Sequence, residues 1–282
     1  MILLSGKPFQ QSDMWPSNSM EDIILERMQG DQVIYSFSSY DQLAFALQLR
    51  KQIILSAKAM NQSEMEFAVF ATSRCNPEYW RLTELGGFQL KRGVKPSAAI
   101  QDFYENSSLY AFECAGAMLI IYYHAVLNAI GDDAFNYLFP DLYIYSWHSD
   151  SDLGIHSIYT HDFLPGDVVY FKNPDFDPNA SQWRGENAVV MGDGTYFGHG
   201  LGKRTAEEMI EALNKNRKQG SNQSAFLMSA AKRLSFKHLA EFSVPQRHHP
   251  KHKYKYPIIP HNRNSLQFED YLLFLYTMCS TP

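Results

Sequence analysis

FECAGAMLIIYYHAVLNAI, residues Phe112 to Ile130, places Cys114 directly after Glu113 and then runs on as an apolar segment whose length suits a buried helix. A cysteine at the start of such a helix has a chemical use. Unpaired first-turn N–H groups and the positive end of the helix dipole favour the thiolate, which is the nucleophilic form. The plainer reading is that a cysteine flanked by small and apolar residues is core filler, the common fate of a free thiol. The same run is the chain's one candidate for a membrane span. It carries Glu113, His124, Asn128 and two tyrosines, which fit a protein core better than a bilayer.

The chain around this segment has 282 residues, 45% of them hydrophobic and 14% aromatic, enough for one large domain or two modest ones with a substantial core. A net charge of -5 gives no global case for nucleic-acid binding. The opening MILLSGKPFQQSDMW has no basic leader, no long apolar core and no small-residue cleavage site, so the expectation is synthesis in the cytoplasm. Cys75, Cys114 and Cys279 are widely spaced and form no CxxC pair, which argues against a disulfide framework or a structural zinc.

Upstream of Phe112, helical spacing predicts helices over 19–28, 39–60 and 96–105, the second with Leu43, Leu47, Ile54 and Ala57 on one face. Strands are expected at 67–72, 79–82 and 88–92. Downstream, 142–145 and 167–171 read as strands, and the Pro-, Asn- and Asp-rich stretch 172–184 reads as a loop. A strand over 187–191, a Gly192-Asp193-Gly194 turn and a return strand over 195–199 make a hairpin. A capped helix is predicted over 205–219 and another over 225–234. From Pro245 the segment PQRHHPKHKYKYPIIPHNRN is basic and aperiodic, and its His248, His249 and His252 read as a solvated tract rather than a metal site. The final 267–278 stretch is apolar enough to fold back on the body or onto a partner.

Cysteine chemistry needs a thiolate, a group that manages protons and donors for the oxyanion formed on the attacked carbonyl. Glu186 at a loop-to-strand junction and His199 at the far end of the paired strand are the candidates beside Cys114. Each has a bland alternative: an ion pair of Glu186 with Arg184, a solvated or backbone-bonded His199, and a helix-end role for Glu113. His148, His156 and His161 read as surface histidines.

YAFECA, YFKNPDFDP, QWRGEN and YFGHGLG occur in this order from the middle of the chain onward. Together they resemble the transglutaminase of bacterial endospore coats, a protein-glutamine gamma-glutamyltransferase of bacilli, and the resemblance runs from the first residues to about Ser243. It implies an α+β fold with a compact, papain-like (NlpC-type) cysteine-enzyme core and added helices. A single catalytic domain would occupy 1–244, and a basic extension 245–282. The resemblance implies Cys114 as nucleophile, Glu186 as its acid/base partner, Glu113 as a partial substitute and His199 at the position of the papain-like histidine. It further implies a calcium-independent enzyme without metal or cofactor. That enzyme would be a monomer without a membrane span, made in the sporulating mother cell and acting on coat proteins through a Cys thioester with release of ammonia.

A site that favours lysine over water should be narrow and apolar, and Trp147, Tyr170, Phe171 and Trp183 are the candidate wall residues. Strand alternation allows at most one of Tyr170 and Phe171 to face it. A papain-like peptidase or amidase acting on cell-wall peptides, or a structural coat protein with an inert thiol, would share much of this pattern. Members of the family are expected to end near the equivalent of 239–244, whereas this chain continues to Pro282. Its tail would be a docking arm for an acidic coat surface or a read-through.

Overall fold

A computed structural model describes residues 1–10, 15–243, 255–261 and 266–279. At the N-terminus β1 (Ile2–Leu4) pairs with β2 (Lys7–Pro8) and with β3 (Tyr35–Phe37), and α1 (Met20–Gly30) lies between them in sequence. The Ser19 hydroxyl accepts the Asp22 N–H and caps α1, and Ser39 does the same for α2 (Tyr40–Gln62) through the Gln42 N–H. The face predicted for α2 is the one buried: Leu43, Leu47, Ile54 and Ala57 are each at most 1% exposed.

Then come β4 (Glu66–Phe67), β5 (Trp80–Leu82), β6 (Phe88–Leu90), α3 (Pro96–Glu105) and β7 (Ala111–Phe112). The strand expected over 67–72 is much shorter. β4 pairs in parallel with β7, which stops where the next helix starts, and Phe70–Thr72 turns as a 3-10 segment for want of a further partner.

That next helix is α4 (Cys114–Ile130), buried continuously from Cys114 to Leu127. Gly131, at φ +79°, ends it and starts α5 (Asp132–Leu138). Within this core His124 has a local partner. His124 Nδ1 lies 2.8 Å from the Ser56 hydroxyl, its ring stacks on Tyr104, and burial pushes its pKa down to about 4, so it is neutral. No described helix is long and apolar enough to cross a membrane.

The second half builds the main sheet from β9 (His156–Tyr159), β10 (Val168–Lys172), β11 (Gly185–Val190), β12 (Thr195–Gly198), β13 (Gly202–Thr205) and β14 (Phe226–Arg233), after the short β8 (Tyr143–Ile144) joins β6. Their order is β13-β12-β11-β10-β14-β9, antiparallel throughout. α6 (Ala206–Asn214), α7 (Phe236–Ala240) and α8 (Phe268–Cys279) complete the described elements. Alternation along the strands separates two cores. Val168 and Val189 pack with α2 and α4, while Val169 and Ala188 pack with Met209 and Leu213 of α6.

Two expectations are corrected here. The helix expected over 225–234 is the strand β14, inserted between β10 and β9. Its Leu, Met, Ala and Lys residues favour helix on their own, and ladder pairing on both sides overrides that preference. The helix expected over 205–219 ends at Asn214, because Arg217 bridges to Phe176 and the Lys218 N–H bonds the Asp175 carbonyl at 2.9 Å. The apolar stretch after Gln267 folds back on the body: Phe268 and Tyr271 of α8 join the core around α4, and Glu269 pairs with Lys232 of β14. The tract with His248, His249 and His252 lies outside the described residues.

Helix and sheet are tied by a buried ionic cluster. Asp167 accepts from Arg50 of α2 at 2.9 Å and from Arg233 of β14 at 2.7 and 2.8 Å, with its second oxygen also taking the Leu164 N–H. The two guanidiniums hold the Asp167 carboxyl below its usual range against the opposing effect of burial. Removing the carboxylate leaves two buried cations facing one another. Asp167→Asn is expected to lower unfolding stability by about 3–5 kcal/mol in a denaturant titration, and a loss under about 1 kcal/mol would show that the cluster does not tie these elements.

Candidate active site

α4 delivers Cys114 as its first residue, and Glu113 is the residue that caps it. The two Glu113 carboxylate oxygens accept the N–H groups of Ala115 at 2.7 Å and Gly116 at 2.6 Å. Gly116 leaves room for this cap, since a Cβ there would stand 3.2 Å from Glu113 Oε1. The first-turn N–H groups expected to favour a Cys114 thiolate are therefore partly committed to Glu113. Burial pushes the Glu113 pKa up to about 7 in spite of the two N–H bonds that oppose it.

Cys114 has no exposed surface, and the Asn187 Nδ2 lies 3.2 Å from its Sγ. Asn187 comes from β11, and the register of β10 and β11 explains which side chains reach the thiol. Tyr170 stands opposite Asn187, and Phe171 opposite Glu186. Residues directly opposite share a face. Tyr170 therefore lies on the Cys114 side, where burial and the neighbouring Cys114 raise its pKa well above its ordinary value. Phe171 packs into the other core against Tyr196. Only one of the two faces the thiol, as alternation requires.

Glu186 sits at the start of β11, 1% exposed, with Oε1 accepting the Gly200 N–H at 2.9 Å. Glycine at 198 makes its place: a Cβ there would come within 2.6 Å of the Glu186 side chain. Burial, reinforced by the negative charge of Glu113, pushes the Glu186 pKa up to about 8. Arg184, its suggested partner, lies over the Phe176 ring and donates to the Ser181 carbonyl.

His199 is half-buried, with Nε2 3.0 Å from the Glu66 carbonyl oxygen and its ring stacked on Phe112 at 4.6 Å. Desolvation takes its pKa down to about 4, so at neutral pH it is uncharged and its Nε2 is engaged with backbone. Phe67 packs between this ring and half-buried Trp183, which it stacks on at 6.3 Å. Trp147 donates its Nε1–H to the Leu266 carbonyl at 3.0 Å and packs edge-on against Phe268. It follows Ser146, a non-glycine residue at φ +49° in the tight turn joining Tyr145 to His148. His148 packs against Tyr143, and His156 and His161 are exposed.

The sequence reading missed Asn187 and Leu266. Asn187 is adjacent to Glu186 in the RGEN motif, and strand alternation could have sent it to the opposite face. A lone asparagine carries no other sign. Nothing in the sequence of the extension singles out a backbone carbonyl.

A buried cysteine at a helix start, capped by one buried carboxyl of raised pKa with a second close enough to interact with the first, is an arrangement suited to acyl-transfer chemistry. The sequence profile of the family described as protein-glutamine gamma-glutamyltransferase matches residues 1–243. A protein of that name from Halalkalibacterium halodurans is 44% identical over 278 residues, covering 99% of this chain and 98% of its own length. Another from Bacillus cereus is 41% identical over 242 residues, covering 85% of this chain and 88% of its own. Among solved structures, the transglutaminase from Geobacillus stearothermophilus, described as without its C-terminal extension, superposes with a TM-score of 0.71. It is 46% identical and covers 74% of this chain and 100% of its own. The chain belongs to the protein-glutamine gamma-glutamyltransferase family and is a transglutaminase of mixed α+β fold. The expectation that relatives stop near 239–244 is corrected by the H. halodurans protein, whose similarity runs through the extension.

The raised carboxyls carry a sign that can be measured. Between the ordinary carboxyl pKa near 4.5 and about 8, native Glu186 holds a proton that the unfolded chain has lost. Stability therefore falls as pH rises through that window. Glu186→Gln keeps an acceptor for the Gly200 N–H and removes the titration. The variant is expected to melt at the wild-type temperature near pH 4.5 and above it at pH 9, and parallel curves across the range would contradict the assignment.

Proposed function

We propose that the chain crosslinks spore coat proteins by joining glutamine and lysine side chains through a thioester on Cys114, inside a papain-like (NlpC-type) core. The observation that carries this reading is Cys114 at the first position of α4 beside buried Glu113, with the raised Glu186 carboxyl on the neighbouring strand. Sulfur attacks the γ-carboxamide carbon of a glutamine. The thiol proton passes through Glu186 to the departing nitrogen, which leaves as ammonia, and a thioester remains. A lysine ε-amine then attacks the thioester carbon. The amine gives up its proton through Glu186 to the sulfur, and an isopeptide bond is complete.

A pKa of about 8 suits this traffic, because a group that must take and return protons near neutrality works best when both forms are accessible. Glu113 is the lesser acid/base group, since its oxygens are engaged in capping α4. The neutral ring of His199 positions Phe112 and the Glu66 backbone more than it relays protons. Phe67 and Trp183, with Tyr170 across the sheet, supply an apolar approach that disfavours water as the acceptor. Synthesis in the sporulating mother cell, assembly into the coat and action as a monomer with coat proteins as donors and acceptors are part of this reading. The resemblance carried by the four sequence motifs is the ground for the coat setting.

The test is incorporation of a fluorescent primary amine into a glutamine-containing protein with a chelator present. Cys114→Ala is expected to abolish labelling, and Glu186→Gln to slow it by about 10²–10⁴-fold. Release of ammonia by the wild type without labelling would replace this reading with a hydrolase.

A further inference from the structure

Two N–H donors converge on one oxygen beside the thiol. Asn187 Nδ2 lies 2.9 Å and Trp147 Nε1 3.0 Å from the Leu266 carbonyl oxygen, and the same Nδ2 lies 3.2 Å from Cys114 Sγ. Asn187, Trp147 and Leu266 are each 1% exposed, and Cys114 is fully enclosed. Two donors at these distances from one oxygen, buried next to a nucleophile, match what the oxyanion of a tetrahedral intermediate requires. Both are held firmly. Asn187 is set by the β10–β11 ladder, and Trp147 by the turn that places Ser146 at φ +49°. The oxygen they hold belongs to an amide, the same functional group that a glutamine side chain presents.

We propose that the Asn187 side-chain amide and the Trp147 indole N–H are the catalytic oxyanion donors of the acylation step, and that the Leu266 carbonyl occupies their site until a glutamine displaces it. The proposal rests on the reading of Cys114 as the nucleophile. As sulfur bonds to the carboxamide carbon, the carbonyl π pair moves to oxygen and is held by the two N–H groups. When that pair returns, the C–N bond breaks and the nitrogen leaves with the proton delivered by Glu186. Leu266 is kept in place by its neighbours in α8. Phe268 packs on the Trp147 ring at 5.4 Å, Tyr271 is buried, and Glu269 accepts from Ser157 at 2.9 Å and pairs with Lys232. Access for the glutamine donor therefore competes with the chain's own extension.

The experiment uses the full chain with Asn187→Ala, Trp147→Phe and Phe268→Ala. Two rates are read: amine incorporation against glutamine-donor concentration, and alkylation of Cys114 by iodoacetamide, a displacement that forms no oxyanion. Asn187→Ala and Trp147→Phe are each expected to lower kcat about 10²-fold without raising the donor KM, while alkylation stays as fast or becomes faster. Phe268→Ala, which loosens Leu266 and leaves both donors intact, is expected to lower the donor KM severalfold at unchanged kcat. The proposal is overturned by a kcat within about threefold of wild type in both donor variants. It is overturned equally by alkylation falling in step with transfer, or by an unchanged donor KM in Phe268→Ala. A Cys114→Ala chain that still transfers amine would bring down the nucleophile reading and this proposal together. An inert Cys114→Ala chain beside fully active donor variants would remove this proposal alone.

Discussion

The enclosure of α4 is the constraint from which the rest of the architecture follows. A helix buried continuously from Cys114 to Leu127 needs apolar partners all round, so one amphipathic neighbour is not enough. α2 lies along one side, α3 and α5 close another, and the α4-facing residues of the main sheet, Val168 and Val189, close a third. The reactive end of the helix inherits that enclosure. Whatever stands beside Cys114 must come from the elements that wall in the helix: β11 brings Asn187 to the thiol, and Glu186, at the start of that strand, lies against Gly198 and Gly200 close enough to Glu113 to feel its charge.

The same enclosure governs the electrostatics. Glu113 and Glu186 are both nearly inaccessible to water, and each has its pKa raised chiefly by that burial. Their backbone N–H partners restore only part of the lost hydration. Burying two carboxyls works against stability at alkaline pH, while a third buried carboxyl, Asp167, meets desolvation with Arg50 and Arg233 beside it between α2 and β14. The two settings put carboxyls to opposite uses. Asp167 is held charged by cations, whereas Glu186 is paired with no cation among the described residues and holds its proton to near neutrality.

Much of this was legible in the sequence where local and tertiary preferences agree. The apolar run after Glu113, the serine-capped α1 and α2, and the Asp-Gly hairpin between β11 and β12 all form close to where composition and spacing put them. Reading failed where packing overrules local preference. β14 has helix-favouring residues and is a strand because two neighbouring strands claim its backbone. Cys114, Glu113 and Glu186 stood out in the sequence as candidates, whereas the Glu113 cap and the thiol contact of Asn187 depend on helix-end geometry and strand register. The wall residues divide in the same way. Alternation fixed that Tyr170 and Phe171 would part, and the structure shows which of them turns to the thiol.

The extension was the least legible part, and its Leu266 carbonyl lies against Asn187 and Trp147 beside the Cys114 thiol. The G. stearothermophilus structure, described as without its C-terminal extension, is matched over its whole length and covers 74% of this chain. Here α8 adds Phe268 and Tyr271 to a core already closed by α2, α3 and α5, and holds Leu266 against Trp147 and Asn187. The attachments differ in kind. Apolar packing and the Lys232–Glu269 pair anchor the helix, whereas the contact at the thiol consists of two hydrogen bonds to one carbonyl oxygen. Two hydrogen bonds are also what an incoming carboxamide can offer in exchange, so the extension can yield at the thiol while α8 keeps its hold on β14.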